Sequence, residues 1–378
     1  MTSEYLCAWR AKEAGKISCC LIPIPSRSSD KQKIAPEDLF GTFVTDGFTV
    51  SCQDDQSNKL LYAQTLMLGS PSSLQVCEIS TEGSGTRSWR PLKNHGTTFS
   101  AFAFGVDLSD NAVVYAADPA NSRLYQFGPP GGSGTEKTRT DRATAYYALP
   151  DPDRWKGNSI VDFLTRRLPQ GGGGEELNMA YVLSGSDGNN THLLITPLKQ
   201  GDESSGVKYF DAPKIITCDK EAHQVVVDPQ HKWAWVVSPN VLRLIDLQNT
   251  DNIHDTPGPW NSKLAFAYSG NDCYGVIASG SGVKCVPVDN GKEFWIVPAE
   301  GKGESASALQ FPYVIENLVP GANGIVASPD NRAWTLGEWN AKDALHGWDL
   351  QSRAHAVYDI SAPDFVFNNT LHYVRDGG

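Results

Sequence analysis

With 378 residues, 40% of them hydrophobic and 10% aromatic, the chain has ample material for a packed core and does not read as a disordered segment. A formal net charge of −11 argues against nucleic acid, whose binding needs clustered basic residues. No apolar run reaches the roughly 20 residues of a membrane helix, so neither nucleic acid nor a membrane is expected as a partner.

Along the chain, residues 4–24 predict a hairpin, with Tyr5–Trp9 and Ile17–Ile22 joined by a turn at Ala11–Gly15. A second unit spans Phe48–Cys52, Leu60–Tyr62 and Leu74–Ile79. The third, Phe102–Asp118 closed by Arg123–Phe127, is followed by a Gly- and Pro-rich stretch at 128–144 that predicts a surface loop. A fourth unit, Asn158–Thr196, carries a glycine-rich insertion at 168–176. His223–Val237, Leu264–Ala278 and Asn323–Leu336 repeat one pattern: an apolar run, a turn of Asp, Ser, Pro, Asn or Gly, and a second apolar run. Phe365–Val374 adds a last apolar stretch.

This is the pattern of inner strands in a β-propeller. Six internal units and one shared by the two termini predict an all-β, seven-bladed propeller of about 54 residues per blade, with six blades as the alternative. The whole chain, 1–378, is expected to form a single domain. Pairing residues 4–24 with 365–374 closes the ring and removes two sheet edges. No helical periodicity, Gly-x-Gly-x-x-Gly or Walker loop favours another class.

Eight cysteines leave pairing open. Cys7 with Cys19 or Cys20, Cys52 with Cys77, and Cys273 with Cys285 are candidates, against the alternative of buried thiols. Sequons at Asn189 and Asn368 tilt toward a secretory origin and glycosylation, although the first residues lack the apolar core of a signal peptide. A secreted protein with its signal removed, or a cytoplasmic one, are the two settings.

The chain resembles the fungal carboxy-cis,cis-muconate cyclases, seven-bladed propellers that close a lactone ring. Gly321–Pro329, Trp348–Leu350 and the 365–374 strands carry the likeness, with support from the first hairpin and the His223 and Leu264 units. The family's cationic set is not matched. Ala103 stands at or near its histidine, His223 matches one arginine, and Trp260, with Lys263 nearby, matches another. Asn323–Asp330 is also similar to a motif of gluconolactonase-type metal propellers, but the further Glu, Asn and Asp ligands are not found. No His-x-His or His-x-x-x-His pair suggests zinc. No metal and no cofactor are expected.

In a propeller the starts of inner strands face the axial channel. This makes His223, Lys263 and Asn323 the candidate catalytic residues: His223 as acid–base, Lys263 as electrophilic donor, Asn323 as a neutral amide that polarises a carbonyl. Each has a structural alternative, respectively a bonded core histidine, a solvated lysine and a turn. Trp260, Phe102, Phe104, Phe367 and Asn368 are the candidate walls of a pocket for a mostly apolar small molecule. Trp233 and Trp235 face one side of a strand and are expected in the core between blades. Replacing cations by aromatic and small residues on a ring-closing scaffold suggests a metal-independent cyclase or isomerase of natural-product biosynthesis, performing a hetero-Diels–Alder or related cyclisation. The alternatives are a muconate-type lactonising cycloisomerase or lactonase, with His223 as base and Lys263 as anion anchor, and a non-catalytic binding module.

Overall fold

The structure is a computed structural model. It describes residues 3–13, 16–26, 34–44, 49–53, 60–67, 70–78, 89–91, 99, 101–106, 112–118, 121, 123–127, 143–148, 160–168, 177–184, 190–199, 207–210, 213–260, 262–279, 282–289, 291–296, 325–339, 342–360 and 371–376. The loop at 128–142 and the insertion at 169–176 lie outside the described residues, as do both sequon asparagines.

All the named elements are strands. In chain order they are β1 (Ser3–Glu13), β2 (Lys16–Pro23), β3 (Glu37–Val44); β4 (Thr49–Gln53), β5 (Leu60–Met67), β6 (Ser70–Glu78), β7 (Trp89–Pro91); β8 (Ala101–Val106), β9 (Ala112–Asp118), β10 (Arg123–Phe127), β11 (Ala143–Ala148); β12 (Ile160–Leu168), β13 (Leu177–Ser184), β14 (Thr191–Lys199), β15 (Val207–Phe210), β16 (Lys214–Cys218); β17 (Gln224–Val227), β18 (Trp233–Val237), β19 (Val241–Asp246), β20 (Ile253–Pro257); β21 (Leu264–Ser269), β22 (Asp272–Ser279), β23 (Gly282–Pro287), β24 (Phe294–Ile296); β25 (Ile325–Ser328), β26 (Arg332–Trp339), β27 (Lys342–Asp349), β28 (Ala354–Asp359); and β29 (His372–Asp376).

The strands form seven four-stranded antiparallel sets among the described residues. In the first, β29 pairs with β1, which leads to β2 and β3. The others are β4 to β7, β8 to β11, β12-β13-β14-β16, β17 to β20, β21 to β24 and β25 to β28. Each is blade-like, and the architecture is an all-β, propeller-like fold. The strand β15 belongs to none of them. It pairs in parallel with β11 and antiparallel with β14, joining two sets into one nine-stranded sheet.

The leading strands β29, β4, β8, β12, β17, β21 and β25 neighbour one another in that order around a ring. Between β17 and β21 the link is a side-chain clamp: Leu264 N–H donates to Gln224 Oε1 (2.7 Å), and Gln224 Nε2 donates to Leu264 O (3.3 Å). Flanking strands fill the seams between sets. β18 is buried over Ala234–Val237 because neighbouring sheets cover both its faces. Trp235 is fully buried, meets Phe266 edge-on and presses on Gly275 of β22, where a Cβ would stand 2.7 Å from the indole. Trp233 shares that cluster, as expected of the pair.

The turns follow the local chemistry. Asp228 accepts from Gln230 N and Lys232 N, and His231 takes φ 57. Asp246 accepts from Gln248 N and Asn249 N, and Asp349 from Gln351 N and Ser352 N. A short acceptor side chain satisfies the amides that a tight turn frees from the ladder.

Two expected cysteine pairs are corrected. Cys273 and Cys285 are buried thiols. Cys285 sits opposite Val276, three residues along β22 from Cys273, which puts roughly 10 Å between them. Cys52 and Cys77 lie on β4 and β6 with β5 between, also roughly 10 Å apart along the backbone, beyond the reach of a disulfide. Cys7 and Cys19 meet, with Sγ atoms 2.7 Å apart in the interior.

Candidate functional site

The site is built where leading strands begin. β12 opens with a register shift between Ile160 and Asp162, a local bulge that re-aims the side chain following it. Asp162 accepts a hydrogen bond from Val225 N through Oδ2 (2.9 Å), spanning from β12 to β17. It is enclosed by protein yet keeps some accessible surface. His372, the first residue of β29, has the same character.

Lys263 lies immediately before β21 and is half-buried. Its charge acts on three groups from three other sets: Asp162, His223 and His372. Asp162 and His372 lie on strands on opposite sides of β21 around the ring, each separated from it by one leading strand. Burial raises the Asp162 carboxyl above its ordinary value, opposed by Lys263 and by the backbone donors of Val225 and Phe163. Burial likewise lowers His372, with Lys263 adding to it, to about 3. His223 is lowered by burial first, against its bond to Ser262, with Lys263 again lowering it. Both imidazoles are therefore neutral near pH 7. The group offers one carboxyl that can carry a proton, one cation for a carbonyl or carboxylate oxygen, and neutral rings that donate or accept.

The expected residues are distributed unevenly. Lys263 and His223 share this group. His223 is only 6% exposed, however, and its Nε2 lies 3.4 Å from Ser262 O, so its ring is largely enclosed between the leads of β17 and β21. Trp260 is corrected. It is 2% exposed and packs with Trp235, Val237, Leu242 and Leu264 in the seam between two sheets. The loop turns back through Trp260 N to Pro239 O (2.9 Å), the indole donates to Thr256 O (3.0 Å), and the Lys284 ammonium lies over the ring. An indole so enclosed walls no pocket. Phe102 and Phe104 lie on the leading strand β8, and their side chains fall outside the description. Ala103 is buried against Tyr115 and Phe163. Asn323, Phe367 and Asn368 lie outside the described residues. Among the described residues no group of three or more His, Cys, Asp or Glu is placed to hold a metal.

Asp162 and His372 were not legible as site residues. The available signal is positional: an ionisable residue among the first few of an apolar leading strand, as in Ile160–Leu164.

No family model matches the sequence, and no curated protein matches it. Solved structures do resemble it. A candidate 6-phosphogluconolactonase from Bacteroides fragilis NCTC 9343 aligns over 99% of this chain and 98% of its own, with a TM-score of 0.59 and 11% identity. A protein from Lactobacillus plantarum aligns over 99% and 100%, with a TM-score of 0.57 and 14% identity. A second candidate 6-phosphogluconolactonase, from Bacteroides uniformis ATCC 8492, aligns over 97% and 99% at 0.51 and 11%. At these identities the likeness shows the fold alone, in keeping with the propeller-like arrangement of the strands.

Proposed function

We propose that the protein is an enzyme acting on a small-molecule lactone or its hydroxy acid, opening or closing the ring at the start of the leading strands. The observation that carries this reading is that Lys263, just before β21, lies within electrostatic reach of Asp162, His223 and His372 from three other sets. Acyl transfer between water and a ring hydroxyl needs positive charge at the carbonyl oxygen and a group that moves a proton. Lys263 supplies the charge, and its neighbours supply proton-carrying groups. The solved lactonase-type structures of like fold support the reading by analogy. Among the sequence-based expectations it favours the lactonase and lactonising alternative over an apolar cyclase.

A second reading, a cyclase promoting a cycloaddition of the hetero-Diels–Alder kind, is favoured by one observation. His372 and His223 are held neutral, and a neutral donor activates an accepting π-system without burying charge.

The test is a panel of γ- and δ-lactones and their hydroxy acids, followed at neutral pH by chromatography. Ring opening or closing is expected, insensitive to EDTA, with Lys263→Met lowering kcat/KM by about 10- to 1000-fold, as for loss of one preorganised donor. Inertness of the whole panel would overturn the lactone reading.

A further inference from the structure

We infer that Asp162, rather than His223, is the catalytic acid–base of this site, exchanging the proton between water and the ring oxygen. The inference deepens the lactone reading and rests on it. Three features of geometry carry it. A bulge between Ile160 and Asp162 places the carboxyl at the start of β12, one of the leading strands. Its Oδ2 is held by Val225 N across the seam between β12 and β17, which orients the carboxyl without an ion pair. By surface area it is half-buried, whereas His223 is 6% exposed with Nε2 directed at Ser262 O.

Burial supports the assignment by lifting the carboxyl toward the range where proton transfer near neutral pH is efficient. The charged group acting on it is Lys263, before β21. From β17 the facing groups are the Val225 amide and, at the strand's lead, His223. The strand β8, packed beside β12, holds no titratable residue in Ala101–Val106. The titratable residue of β13 is Tyr181, and those of β9 are Tyr115 and Asp118.

The step balances without a co-reactant beyond water. The carboxylate takes a proton as the water oxygen bonds to the lactone carbonyl carbon. The acyl–oxygen bond of the ring then breaks, and the same proton passes to the departing ring oxygen. The product is a hydroxyl and a carboxylic acid, and Asp162 is again a carboxylate. Ring closure is the reverse.

The test compares pH profiles of kcat for wild type, Asp162→Asn and Lys263→Met on a lactone that the wild type opens. Asp162→Asn keeps an oxygen for Val225 N. It is expected to lose about 10²- to 10⁴-fold in kcat, with little change in KM, and to lose the acidic limb. Lys263→Met removes the charge that favours the carboxylate, so that limb should move to higher pH with Asp162 intact. Activity of the Asp162→Asn variant within threefold of wild type, or a limb unmoved in Lys263→Met, overturns the assignment. Should Asp162→Asn fail to fold, the Lys263→Met shift decides alone. Wild-type inertness toward every lactone removes the reading and this assignment together, an outcome distinct from an active wild type with an active Asp162→Asn variant.

Discussion

His346 and His355 lie ring over ring in the interior, with Nδ1 and Nε2 3.0 Å apart and His355 stacked 4.1 Å from Trp348. Burial holds them at about 3 and about 4, the second ring lowering His346 further, and His372 stands at about 3. An unfolded histidine titrates near 6.5, so below that pH the unfolded chain takes up protons that the folded chain refuses. The stability these rings confer is present above pH 6.5 and is lost as pH falls toward 3–4. Each contributes a slope of up to about 1.4 kcal/mol per pH unit in that window. His223 has the same sign and Asp162 the opposite, since a raised carboxyl binds its proton more tightly when folded. Thermal melting between pH 7 and 4 should show a falling Tm, and His355→Gln should flatten the fall. A Tm flat over this range would contradict the neutral burial of these rings. At this scale the sequence was only partly informative. The positions of Lys263 and His223 just before leading strands were legible because strand starts are recognisable. Asp162 has no motif around it, and its role comes from a bulge and a neighbour 63 residues away, Val225, that local pattern does not encode. Trp260 was misjudged because whether an indole faces a channel or a seam depends on how its loop returns.

Among elements, hairpins were the most legible, because an apolar run, an Asx turn and a second run are all local signals. The clearest loss was β15, a four-residue strand whose partner β11 lies some 60 residues earlier and is reached through parallel pairing. Of the candidate cysteine pairs, only that between the first two strands brings its thiols close among the described residues, and both are buried thiols. Cys7 and Cys19 lie on adjacent strands of one hairpin, near enough to bond, while Cys20 packs with Leu6, Ala8 and Trp334 in another cluster. Refolding under an oxidised–reduced glutathione couple, followed by mass spectrometry of non-reduced peptides, should therefore link Cys7 to Cys19. A link to Cys20, or from Cys273 to Cys285, would contradict the register described here.

For the molecule as a whole, the ring depends on strands from both ends of the chain. Ser3 to Cys7 pair with Asp376 to His372, and Tyr373 Oη donates to Glu4 Oε1 (2.7 Å). Removing residues 1–24 would strip β29 and β3 of partners and open two sheet edges. Loss of soluble, cooperatively melting protein is expected. A truncated chain with the wild-type Tm would show that the terminal pairing is dispensable. The strand β15 has a different consequence. There main-chain hydrogen bonds cross from one set to the next, as they also do where Ile34 N donates to Asp359 O between the segment before β3 and the end of β28. In mechanical terms the circle mixes welded joints with bolted ones. A ring so built is expected to give first at a side-chain joint such as the one at Gln224, between the leads that carry His223 and Lys263.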